Sequence, residues 1–137
     1  MEKNICITDF DLKRFKWLLN NSQKFDASYK NNLEILGREL ETALILEQEK
    51  IPADVITMNS KFRIKDLDTN KNFTYTLVFP FDADISQNKL SVLDSIGIRT
   101  IGCRVGDIIE LDNSSTIKRI QIEEIIYQPE SKGNYYV

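Results

Sequence analysis

The chain has 137 residues, 18 basic against 21 acidic, for a formal charge of −3. That length suits one domain or one domain with a small appendage, and folding buries about two thirds of the unfolded surface without a disulfide or metal staple. The charge balance excludes a polycationic grip on nucleic acid. There is no histidine, so a Cys/His metal cluster is excluded and the usual general base of Ser or Cys catalysis is missing. The opening MEKNICIT holds too short an apolar run for a signal peptide. Cys6 and Cys103 are the only cysteines, as expected of buried thiols in a reducing cytoplasm.

In chain order, Ile5 and Ile7 alternate as in a short strand or an extended lead-in. Thr8-x-x-Asp11 has the form of a capping box, with Asp9 and Asp11 where a helix dipole favours anions. Leu12, Phe15, Leu18 and Leu19 then recur at helical spacing, which predicts a helix over 9–20. The stretch 20–30, NNSQKFDASYK, has turn chemistry. Leu33, Leu36, Leu40 and Leu44 make a second helical seam, predicted to run from residue 31 and to end by Pro52. The two stripes pair as an antiparallel helical hairpin over 1–52.

Beyond Pro52 the period becomes two. Phe62 and Ile64 alternate with basic residues, and after the turn Asp68–Asn72 the residues Phe73, Tyr75, Leu77 and Phe79 alternate again. These predict an antiparallel strand pair with all four aromatic and aliphatic positions in the core. Residues 81–89 read as irregular. Ser95 is placed to cap a short helix with Ile98 and Ile101 on its apolar face. Gly102 stops that helix, Val105-Gly106-Asp107 turns, and 108–111 is a strand. After a turn at 112–115 comes a last strand over 116–127. Its alternation slips between Ile120/Ile122 and Ile125/Tyr127, and a β-bulge near Glu123-Glu124 would restore one face. The predicted fold class is α+β: a helical hairpin, then over 53–137 a small antiparallel sheet with one short helix.

The same stretch carries a family resemblance. Leu90-Ser91, Asp94-Ser95-Ile96-Gly97, Thr100-Ile101-Gly102 and Gly106-Asp107 resemble the C-terminal domain of the GreA/GreB factors. Pro52–Ser60, Thr76–Pro80 and the tail Tyr127-Gln128-Pro129-Glu130 with Gly133 and Tyr135 sharpen this to the Rnk branch of that family. The resemblance implies an FKBP-like fold for the second part. It also implies a cytoplasmic, monomeric regulator that binds bacterial RNA polymerase at the rim of the secondary channel. Such a protein needs no cofactor, no metal, no membrane and no sequence-specific nucleic-acid contact, and is not an enzyme. It would compete with Gre or DksA-like factors.

Gre factors hold acidic residues at the tip of a long coiled coil and help bind a catalytic Mg²⁺, a hard ion that wants oxygen ligands. Here Asp26 is the only carboxylate in 20–30, and Glu34 lies about two turns down the next helix. Asp26 therefore stands either as a turn residue or as the remnant of a cleavage site. By position, the resemblance assigns Ser91, Asp94, Ser95 and Ile96 to polymerase contact, with Ile96 standing where Gre factors have proline. Ser95 reads equally as a helix cap, and Leu90 and Leu93 as exposed anchors or as plugs of the sheet. The resemblance leaves a degenerate FKBP-like chaperone module as a further alternative, whereas active isomerases of that fold build an aromatic pocket floored by tryptophan. The only tryptophan, Trp17, belongs to the first helix, and Lys13, Arg14 and Lys16 on that helix read as a solvated face.

Overall fold

The computed structural model describes residues 5–113, 116–135 and 137. Its first strand, β1 (Cys6–Thr8), ends on the residue that caps helix α1 (Asp9–Asn20). Thr8 Oγ1 accepts from the Asp11 N–H at 3.0 Å, which is the forward half of a capping box. The return half is replaced: Asp11 turns inward, and its carboxylate oxygens accept from the Arg14 guanidinium and from the Met58 N–H.

Helix α2 covers Lys30–Thr42 and stops there, because Ala43 is already extended (φ −68°, ψ 144°). Leu44–Leu46 form β2, parallel to β1 with Cys6 opposite Leu44 and Thr8 opposite Leu46. This overturns the helix expected to continue toward Pro52. Leu44, read as part of the helical seam, is 52% exposed. The cause is long-range: buried β1 leaves backbone groups that need partners, and the Leu44 N–H donates to Ile5 O at 2.8 Å. Leucine spacing carries no sign of that pairing, which is how tertiary context overrides propensity.

The main sheet has the order β5-β4-β3-β7-β6. Strands β3 (Lys61–Asp66) and β4 (Asn72–Val78) form the expected antiparallel hairpin. Strand β6 (Ile108–Asn113) pairs antiparallel with β7 (Thr116–Tyr127), although Ser114 and Ser115 of the turn between them lie outside the described residues. Against β3 the register of β7 slips twice: Tyr127 faces Lys61 but Ile125 faces Phe62, and Glu124 faces Arg63 but Ile122 faces Ile64. The extra residues are Ile126 and Glu123. The expected bulge is present, and a second one turns Ile126 out to solvent while Ile120 and Ile122 stay buried.

Two further expectations change. The sheet is mixed rather than wholly antiparallel, since β5 (Lys89–Ser91) lies parallel to β4, with Leu77 opposite Leu90. Short 3₁₀ turns at Pro80–Asp82 and Ile85–Gln87 lead the chain back to that edge through a polar segment that gives no strand signal. Phe73, expected in the core, sits exposed at the start of β4, stacked on Tyr75 with ring centroids 6.4 Å apart.

Helix α3 (Ser95–Thr100) follows β5, and its N-cap is Asp94, so Ser95 is the first helical residue rather than the cap. Ile98 and Ile101 are buried as expected. Glycine is required at two places here. A Cβ on Gly97 would stand 2.0 Å from Ser91 O, so the helix backbone lies directly on the end of β5. Gly102 has φ +77°, and a Cβ there would stand 2.5 Å from Ile5 Cβ. Its N–H donates to Ile56 O and its carbonyl accepts from the Cys6 N–H, so the N-terminal strand rests on this glycine. One apolar core therefore runs through both parts of the chain, from Ile7, Phe15 and Leu36 to Phe62, Leu77 and Ile122. The result is a mixed α+β fold with few helices.

Candidate functional site

Two surfaces carry the residues singled out by sequence: the connection between α1 and α2, here the tip, and the loop from β5 into α3. At the tip, a 3₁₀ turn (Ser22–Lys24) leads to Asp26, whose Oδ1 accepts from the Ser28 N–H at 3.0 Å. Asp26 is exposed and caps the next turn, Ala27–Tyr29, from which α2 springs. Between α1 and α2 lies an open cavity of about 580 Å³. Leu19, Phe25 and Leu33 give it an apolar wall, and Asp26, Lys30 and Glu34 stand at its rim. Asp26 and Glu34 thus border one space, with Glu34 about one turn into α2 rather than the expected two. Among the described residues, no group of three or more His, Cys, Asp or Glu side chains is placed to hold a metal ion.

The β5–α3 loop is built from the inside. Ser91 is buried, and its Oγ accepts from the Leu93 N–H at 3.0 Å. Leu90 and Leu93 are buried too, so they plug the sheet rather than stand as anchors. The Leu93 carbonyl accepts from Asn32 Nδ2 at 2.6 Å, which ties the first turn of α2 to this loop. Asp94 and Ile96 are half-buried and Ser95 is exposed. Ser95 and Ile96 border a cleft of about 360 Å³ between α2 and α3, with Asn32, Arg99 and Lys118 on its walls. Of the four loop positions, Ser95 is exposed, Asp94 and Ile96 are half-buried, and Ser91 acts by shaping the turn. Trp17 lies on the surface of α1, not at the floor of a pocket in the sheet.

Sequence reasoning missed a buried polar seam that locks the helices to the sheet. Asp11 is 1% exposed and bridges Arg14 to the Met58 N–H at 3.1 Å. In the same segment, Ser60 Oγ accepts from the Thr57 N–H, and the Thr57 hydroxyl donates to Glu130 Oε1 at 2.7 Å. Burial pushes the Glu130 carboxyl above its ordinary range, with nearby Asp11 adding to this, while the Thr57 hydrogen bond and the Arg14 charge work against it. From the same tail, Gln128 Nε2 donates to the carbonyls of Pro52 and Val55, both at 2.7 Å. The available signal was the pairing of Thr57-x-x-Ser60 with the tail motif Tyr127–Glu130. Those segments share no local periodicity, so only the folded chain brings them together.

The family profile described as "Transcription elongation factor, GreA/GreB, C-term" matches residues 51–127. The chain belongs to the GreA/GreB family. The matched segment contains β3 to β7, α3 and the loop described above. Within the family, the chain is 32% identical over 132 residues to the regulator of nucleoside diphosphate kinase of Escherichia coli, covering 96% of this chain and 95% of that protein. It is 33% identical over 99 residues to the transcription elongation factor GreA of Chloroherpeton thalassium, covering 72% and 63% respectively. A solved GreA/GreB elongation factor from Nitrosomonas europaea is 31% identical, with a TM-score of 0.75 over 92% of this chain and 100% of that one. The GreA/GreB assignment thus rests on helices and sheet together. Among the described residues, no helix is long and apolar enough to cross a membrane.

Proposed function

We propose that this chain is a transcription regulator that binds bacterial RNA polymerase at the secondary-channel rim and competes there with Gre-type factors without supporting transcript cleavage. It acts as a cytoplasmic monomer with no metal or cofactor of its own, residues 1–52 serving as the hairpin and 53–137 as an FKBP-like docking domain. Ser95, with Asp94 and Ile96 beside it, forms the contact, on a turn shaped by Ser91. The observation that carries this reading is the length and placement of the hairpin. At 1.5 Å per residue, α1 and α2 span only about 18 and 20 Å. That length is already engaged, because Phe15, Leu18, Leu33 and Leu36 are buried in the core shared with the sheet. A tip held so close to its own domain has little reach toward a distant metal ion, and Asp26 alone offers it few oxygen ligands.

The test is a stalled, backtracked polymerase complex. The purified chain is expected to release no cleaved RNA alone and to reduce the cleavage produced by an added Gre factor. Asp26→Ala should leave that competition intact, since occupancy rather than chemistry produces it. Asp94→Lys with Ile96→Asp should weaken it while the far-UV spectrum stays unchanged. The competing reading, a cleavage-stimulating factor, has one observation in its favour, the common cavity bordered by Asp26 and Glu34. Cleavage by the chain alone that disappears on Asp26→Ala would establish that reading instead.

A further inference from the structure

The outer face of α1 carries Lys13, Lys16 and Trp17, one turn or less apart, and the tip adds Lys24. All are exposed, and among the described residues neither Lys13 nor Lys16 is paired with a carboxylate. The Lys24 ammonium lies 5.8 Å from the centre of the Trp17 ring. Trp17 meets Phe81 edge-on at 5.9 Å, and Phe81 meets Phe25 at 5.4 Å. The rings thus form a ridge that crosses from the helix to the loop between β4 and β5. They brace one another, yet Phe81 remains 67% and Trp17 44% exposed, and Ile85 on the same loop 65%. Removing such apolar surface from water is favourable, and the isolated chain leaves part of that gain unrealised.

Charge and spacing limit what can cover this ridge. Lys13, Lys16 and Lys24 lie on its helix side, while Asp82 and Asp84 lie on its loop side. A nucleic-acid backbone would meet the aspartates as well as the lysines, whereas a partner with acidic groups along one flank meets only the lysines. Successive rings stand 5.9 and 5.4 Å apart, which matches the separation of about 5–6 Å between side chains one turn apart on a helix. We infer that the Trp17–Phe81–Phe25 ridge docks an acidic amphipathic helix of a partner protein. Its apolar side chains sit on the rings, and its carboxylates reach Lys13, Lys16 and Lys24. Large, pre-braced aromatic rings lose little freedom on docking, which suits them as anchors. The ridge includes none of Ser91, Asp94, Ser95 and Ile96, so the inference goes beyond the polymerase reading.

The chain's only tryptophan lies on the ridge, so its emission reports occupancy directly. The whole chain is titrated with a synthetic helical peptide bearing Leu at i, i+3, i+4 and i+7 and Glu elsewhere, with the same peptide carrying Lys for Glu, and with a single-stranded oligonucleotide. The acidic peptide is expected to shift the Trp17 emission to shorter wavelength and to bind more weakly as salt rises. Lys13→Glu with Lys16→Glu should weaken it by roughly tenfold or more. Phe81→Ser should abolish binding with the far-UV spectrum unchanged, read by anisotropy of labelled peptide because that variant alters the surroundings of Trp17. Equal or tighter binding of the Lys peptide or the oligonucleotide would overturn the inference, as would full affinity in the double lysine variant or no response to the acidic peptide. Emission that changes with protein concentration alone would assign the ridge to a second copy and overturn it equally. No polymerase enters this experiment, so its failure is separable from failure of the competition assay.

Discussion

The two N-terminal helices and β1 meet the main sheet and its loops in two places of opposite character. At the base, β1 rests on Gly102, and Asp11 is buried against Met58 and Arg14. At the tip, Phe81 touches Trp17 and Phe25 in full view of solvent, and Asn32 reaches one carbonyl of the β5–α3 loop. The base consists of close backbone approaches and buried hydrogen bonds, which have no alternative partner. The tip consists of exposed rings and surface polar groups, which can exchange their contacts for a partner's. On the proposed reading, stability and binding fall at different ends of the same two helices.

The largest expected effects come at two close backbone approaches, Gly102 at the base and Gly97 where α3 lies on β5. Gly97→Ala drives a Cβ into Ser91 O, a backbone atom that cannot swing aside, and Gly102→Val adds a positive-φ penalty to a clash with Ile5. Each should destabilise by about 3 kcal/mol or more, read from urea melts. Gly106 is the control. Its φ is +96°, but nothing lies within 4 Å of the added Cβ, so Gly106→Val should cost only about 1 kcal/mol. Equal losses at Gly102 and Gly106 would mean that backbone conformation alone, not the seating of β1, makes the base rigid.

Next comes a pair of carboxylates, one at each end. Asp11→Ala leaves the buried Met58 N–H and the Arg14 guanidinium without their partner, an expected loss of about 2–4 kcal/mol. Asp26→Ala removes an exposed carboxylate that caps one short turn, and its loss should stay near or below about 1 kcal/mol. Comparable thermal shifts for both variants would erase the distinction between base and tip.

Much of the second part of the chain was legible before the fold was known. Phe62 and Ile64 alternate on β3, Gly102 has the left-handed conformation that its place after an apolar helix demanded, and the slip in β7 fell at Glu123. These are local signals, complete within a few residues. What stayed hidden depended on distant partners. Leu44 looks helical until β1 claims its N–H, Leu90 joins a strand only because β4 runs beside it, and Asp11 looks like a capping residue until Met58 arrives. At the candidate site, the inward turn of Ser91 was not legible, since no spacing rule says which way a serine between Leu90 and Val92 points.

The smallest expected effect concerns the tail at the base, and its sign separates burial from pairing. Glu130 is buried beside Asp11, and burial raises its pKa despite the hydrogen bond from Thr57. A raised folded-state pKa means that this group's stabilising contribution is complete below its unfolded value, about 4.3, and is lost as pH rises through the folded value. At neutral pH the chain therefore holds a carboxylate that burial disfavours. Glu130→Gln keeps an oxygen to accept the Thr57 hydroxyl and removes the charge. It should be more stable than the parent at pH 7, with the advantage shrinking toward pH 4. Asp66 runs the other way: burial opposes its ionisation, but the N–H groups of Asp68 and Thr69 and the Lys118 ammonium outweigh this and lower its pKa, so its contribution is lost in acid. Both chains share that loss, so it cancels when the variant is subtracted from the parent at each pH. A difference that stays flat from pH 4 to 7 would show that Glu130 behaves like a solvated carboxylate. In that case the seam would owe its hold to the hydrogen bonds of Asp11 and Thr57 alone.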